Sequence, residues 1–180
     1  MDTFLQIEID DLKKETKDNK VSTFEEVQNY LSVIPYINYG GCGISALAMY
    51  RWLKKHNQLK HTKFVYLYCK NSEETYVRNQ KTLKGELNNP LAPSHVILLH
   101  DGKQIDIEFE SDTVYYFRHV VEDERFLIKT INTLESWNAD FNRKVYVRMI
   151  EKKLGIDLSD IISSEKQIDN YYQEIYKRNR

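Results

Sequence analysis

Two branched, apolar runs facing each other across an Asp-Gly turn constrain this chain more than any other feature. Ser94-His95-Val96-Ile97-Leu98-Leu99-His100 and Gln104-Ile105-Asp106-Ile107-Glu108-Phe109-Glu110 flank Asp101-Gly102-Lys103. Glycine adopts the positive φ that tight hairpin turns need, so the two runs are predicted to pair as antiparallel strands. A strand over Thr113–Val120 is expected to extend the same sheet. Thr62–Cys69, rich in aromatic and branched residues, is predicted to be a further strand, and Thr3–Ile9 an edge strand before a charged connector over Asp10–Lys20.

Helical signals surround these strands. Ser22 and Thr23 precede Glu25 and Glu26 in a capping-box arrangement, and Phe24, Val27, Tyr30, Leu31 and Ile34 recur at helical spacing until Pro35. That pattern predicts a helix over about residues 23–33. A second, strongly apolar helix is predicted from Cys42 onward through Ile44, Leu47, Ala48 and Leu53, closing on Lys54, Lys55 and His56, where basic residues suit the helix dipole. Residues 72–81 suit a short polar helix, and Leu83–Pro93 is a loop by its Gly, Asn and Pro content. Beyond Glu122 the pattern turns helical, with Phe126, Leu127, Ile131, Leu134 and Trp137 on one face. Val145, Val147 and Ile150 belong to another helix or a strand, and Ser163–Arg180 is a polar helix with Ile168, Tyr171, Tyr172 and Ile175 as its contact stripe. The expected class is α+β, as one domain over residues 1–180 with a C-terminal helical extension from about Glu122.

Composition removes several functions. The 26 basic and 27 acidic residues leave a net charge of -1 and are spread along the chain, so no global field recruits nucleic acid or an anionic membrane. No stretch approaches the roughly 18 apolar residues of a membrane span, and the N-terminus lacks a signal-peptide pattern. A cytoplasmic protein is expected, or a virion-associated one, and the Tyr, Lys, Asn and Ile content fits an AT-rich phage or bacterial coding source. Cys42 and Cys69 cannot build a disulfide framework and form no CxxC pair, so a reducing compartment fits. A zinc site from Cys42, Cys69 and a histidine matches no compact ligand spacing, and neither metal nor cofactor is expected.

One constellation carries chemistry. A thiol attacks as thiolate, and a helix N-terminus stabilises that anion. Cys42 sits where the apolar helix begins, among Gly40, Gly41 and Gly43, which leave room for a carbonyl to approach the sulfur and for the Cys42 N–H to donate to an oxyanion. His95 opens an apolar strand and is the candidate base. Asp106 follows eleven residues later, and the hairpin folds the two back toward one another, so its carboxylate can orient the imidazole.

Gly41-Cys42-Gly43-Ile44-Ser45-Ala46-Leu47-Ala48-Met49-Tyr50 resembles the nucleophile helix of papain-like cysteine peptidases, most nearly the bacteriocin-processing type. Ser94–Leu99 and Asp101–Asp106 resemble the His and Asp strands of that group and are similar to transglutaminase-like enzymes too. The resemblance spans Pro35 to Glu108. It implies a papain-like fold, a Cys42–His95–Asp106 triad, a peptide or protein substrate and cleavage of a peptide or isopeptide bond through an acyl-enzyme. Such enzymes place a Gln six residues before the cysteine; here Tyr36 stands there, and its hydroxyl or the Asn38 amide is the candidate oxyanion donor. Acyl transfer to an amine uses the same three residues, and a non-catalytic papain-like scaffold in a virion or effector is the reading the Tyr36 departure favours.

Each residue has a plainer role. Cysteine in a glycine-rich helix entry is commonly a small core residue, histidine on a strand is commonly structural, and Asp106 can serve a turn. Company and order favour the triad. His100 is one odd step from His95 and points to the opposite face. Cys69 is expected to be a buried thiol, and His56 and His61 to be solvated.

Overall fold

The computed structural model describes residues 21–34, 37, 40–107, 114–133 and 143–161. The expected edge strand over Thr3–Ile9, the connector to Lys20, the C-terminal helix over Ser163–Arg180, and both Tyr36 and Asn38 lie outside the described residues.

Helix α1, Phe24–Ser32, starts on a full capping box: Thr23 Oγ1 accepts from the Glu26 N–H at 3.2 Å, and Glu26 Oε2 accepts from the Thr23 N–H at 3.1 Å. Two orphan N–H groups are thereby satisfied reciprocally. Its buried residues, Val27 and Leu31, pack on helix α2, Cys42–Lys55. Helix α2 is buried from Cys42 through Met49 and again at Trp52 and Leu53, so it is a central element with contacts on nearly every side. Its small residues, Gly43, Ser45, Ala46 and Ala48, let neighbouring elements approach closely. At its far end Arg51 clamps the segment after Leu154: Nη1 donates to Asp157 O and Asp160 Oδ1, both at 2.7 Å, while Nε donates to Glu124 at 3.2 Å.

Strands β1 (Lys63–Cys69), β2 (His95–His100), β3 (Lys103–Ile105) and β4 (Tyr115–Val121) form one antiparallel sheet in the order β3-β2-β1-β4. Between β1 and β2 lie a single turn, Lys70–Ser72, and helix α3, Glu73–Leu83. Helices α4, Glu124–Thr133, and α5, Arg143–Leu154, complete the described elements and pack against α2. This is an α+β architecture. Phe64, Tyr66 and Tyr68 of β1 share the core with Val96 and Leu98 of β2, Val121 of β4, and Leu47, Trp52 and Leu53 of α2.

The hairpin closes as the turn chemistry requires. Asp101 and Gly102 form its two-residue loop with φ of 47° and 78°, both in the left-handed region. Paired positive φ values mark the tight turn that matches strand twist. No atom lies within 4 Å of a Cβ added at Gly102, so Gly102→Ala is expected to cost only its backbone strain. That is about 1–2 kcal/mol, readable as a lowered urea midpoint with unchanged slope.

The strand expected over Thr113–Val120 joins the same sheet as β4, beside β1, where Tyr66 and Tyr68 find cross-strand partners in His119 and Phe117. Two expectations are corrected. Cys69 is half-exposed, since a register shift between Tyr68 and Cys69 ends the regular pairing there. Among the described residues the second hairpin strand pairs through Ile105 and not at Asp106 or Ile107, while Glu108–Glu110 of the expected run lie outside the described residues. The segment around Val147 and Ile150, left open between helix and strand, is helix α5.

Candidate active site

Cys42 is the first residue of α2, and the local sequence explains its placement. Gly40 has φ 110°, a conformation that L side chains rarely adopt. Gly41 is the N-cap and has no side chain with which to cap the helix. A Cβ at Gly41 would stand 2.5 Å from the Ile37 carbonyl oxygen, so only glycine lets the loop fold this tightly against the helix entry. The first-turn N–H groups thus start beside the sulfur with no N-cap oxygen competing for them. Ser45 Oγ donates to Cys42 O at 2.8 Å within the buried first turn.

His95 is the first residue of β2. The residue before it is pinned to β1: Ser94 N donates to Leu67 O at 2.9 Å, and Ser94 Oγ accepts from the Cys69 N–H at 3.2 Å. The hairpin register pairs Leu98 with Ile105. Carried one step further, it sets Asp106 across from Ile97 and diagonal to His95, a separation that side chains can bridge. They do, with His95 Nε2 and Asp106 Oδ2 2.8 Å apart. The Cys42 side chain lies close enough to the same imidazole to strengthen its hold on a proton. With Nε2 held by Asp106, Nδ1 is the nitrogen left for the sulfur.

The electrostatics follow from these contacts. Burial alone would lower the His95 pKa, but the hydrogen bond to Asp106, the neighbouring Cys42 side chain and the charges of both outweigh it and raise the ring from 6.5 to about 10. A group that holds its proton more tightly folded than unfolded stabilises the fold fully below pH 6.5 and loses that contribution as pH rises through about 10. The stability difference between wild type and His95→Gln, measured by urea unfolding across pH, is therefore expected to be largest on the acid side of that window and to fade toward its alkaline end.

Cys42 and His95 are 3% and 4% exposed, whereas the Asp106 side chain is 30% exposed, so solvent reaches the carboxylate end of the array more freely than the sulfur. Tyr115 covers the imidazole, with ring centroids 5.8 Å apart and planes 11° from parallel. The sequence places Tyr115 in a strand and does not single it out for the site. Its approach to His95 depends on the register shift that pairs it with Cys69, and no local pattern in Thr113–Val120 signals that shift.

The remaining candidates stay apart from this array. The His100 Nδ1 hydrogen-bonds Thr62 Oγ1 at 2.7 Å, and its ring lies against Phe24. His56 stacks on Trp52 with centroids 3.9 Å apart, a packing role beyond simple solvation. Among the described residues no group of three or more His, Cys, Asp or Glu is arranged to hold a metal ion, and no helix is long and apolar enough to cross a membrane. No protein-family model, curated protein or solved structure matches the chain, so its chemistry rests on the geometry of its own residues.

Proposed function

We propose that this chain is a papain-like cysteine hydrolase that cleaves a peptide or isopeptide bond through a Cys42 acyl-enzyme. The observation that carries the reading is one imidazole held by Asp106 at 2.8 Å and neighbouring the thiol of Cys42 at a helix N-terminus. A ring that holds its proton through neutral pH is suited to stand as the imidazolium beside a Cys42 thiolate. The sulfur then adds to the substrate carbonyl, and the negative charge passes to the carbonyl oxygen beside the first-turn N–H groups of α2. His95 returns the proton to the leaving amine as the C–N bond breaks, leaving a thioester on Cys42. Water, giving its proton to His95, cleaves the thioester and frees the thiol. Asp106 holds the ring in one tautomer throughout. An amine in place of that water makes the same array an acyltransferase.

A second reading is favoured by the near-complete burial of Cys42, 3% exposed, together with Tyr36 where the family has Gln. On that reading the fold serves binding or assembly and the thiol does not react. The test is incubation of a proteome-derived peptide mixture with wild type and Cys42→Ala, followed by mass spectrometry of new termini. The hydrolase reading expects cleavage products with wild type that are absent with Cys42→Ala. Identical digests, with both proteins folded, support the scaffold.

A further inference from the structure

Among the described residues, strand β4 ends the sheet at the side away from the hairpin, and β1 is its sheet partner. An edge strand presents a row of backbone N–H and C=O groups to whatever can extend the sheet. Its side chains alternate in burial: Tyr115, Phe117 and His119 are half-buried, and Tyr116, Arg118 and Val120 are exposed. Phe117 and His119 both stack on Tyr76 of α3, which fixes the other set outward. Val114, Tyr116 and Val120 are 66%, 56% and 48% exposed, half of the large hydrophobic side chains left in solvent among the described residues.

The charges nearest Tyr116 are basic, while the acidic Glu122 lies at the far end of the strand. Arg118 sits between Tyr116 and Val120, and Lys70 places its ammonium 5.9 Å from the Tyr116 ring centroid. Lys63, farther along, is already paired with Glu122 at 2.6 Å. Among the described residues neither Arg118 nor Lys70 has a carboxylate partner. A second copy of β4 laid antiparallel along this one would bring guanidinium against guanidinium, which disfavours self-pairing.

We propose that β4 is a docking edge for an extended peptide segment whose side chains on one face run apolar, acidic, apolar. Backbone pairing along the edge would supply the attachment, and the acid against Arg118 the register and selectivity. Tyr116, Arg118 and Val120 alternate with the side-chain set to which Tyr115, stacked on His95, belongs, and docking on them does not depend on the activity of the Cys42 array.

The test uses a dye-labelled heptapeptide, Thr-Val-Thr-Glu-Thr-Val-Thr, and its counterpart with Lys in place of Glu, titrated with the full chain by fluorescence anisotropy. Saturable binding of the Glu peptide is expected, about tenfold tighter than the Lys peptide. Arg118→Glu should reverse that preference, and Val120→Thr should weaken both, with circular dichroism and melting temperature unchanged. Wild type and Cys42→Ala should bind alike, so a dead hydrolase leaves this result standing. The proposal is overturned if neither peptide saturates, if Arg118→Glu leaves the preference unaltered, or if sedimentation shows a β4-dependent dimer that excludes the peptide.

Discussion

Replacing His95 with alanine is expected to slow Cys42-dependent cleavage by about 10²–10⁴-fold, the usual contribution of a positioned acid–base group. Three roles fail together: the proton acceptor for the sulfur, the donor for the leaving amine, and the activator of water. Asp106→Asn should cost less, because Asn still accepts a hydrogen bond from Nε2 and only the charge is lost. The comparison is read as single-turnover rates on one cleavable peptide taken from the digest. A loss in Asp106→Asn as large as that in His95→Ala would mean that the carboxylate charge itself is required. No loss in His95→Ala would remove His95 from the mechanism.

The second large effect concerns stability. Trp52 is 1% exposed on α2, with Phe24 of α1 at 6.1 Å between centroids on one side and His56 stacked on the other. Trp52→Ala opens a large void between these helices and is expected to cost about 3–5 kcal/mol. Trp52→Phe should cost much less. Among the described residues the buried Trp52 indole N–H has no hydrogen-bond partner, so its removal relieves an unmet donor while most of the ring volume remains. Urea unfolding of both variants checks the contrast, and equal losses would contradict it.

How far the sequence foretold this molecule depends on how local each feature is. Cys42, His95 and Asp106 were legible because a glycine-flanked helix entry and an Asp-Gly hairpin are short-range signals, and the hairpin alone brings residues 95 and 106 together. Helix α1 was legible from Thr23 and Glu26, whose side chains make the capping bonds that their spacing implies. The sheet order was not. Pairing of β4 with β1 is chosen by long-range packing of Phe117 and His119 beside Tyr68 and Tyr76, which periodicity within one strand does not encode. The same register shift exposes Cys69 and turns Tyr115 onto His95. Arg51's clamp on Asp157 and Asp160 joins residues more than a hundred positions apart and carried no local signature.

The central claim is that Cys42 is an activated nucleophile served by His95, and competitive alkylation tests it most directly. The folded chain is treated with limiting iodoacetamide at neutral pH, and the modification of Cys42 and Cys69 is followed by peptide mass mapping. Cys69 is the more exposed thiol, so exposure alone predicts that it reacts first. The hydrolase account predicts the reverse order, with Cys42 modified well ahead of Cys69 and that lead abolished in His95→Ala. Cys42 lagging behind Cys69, with no change in His95→Ala, would contradict it.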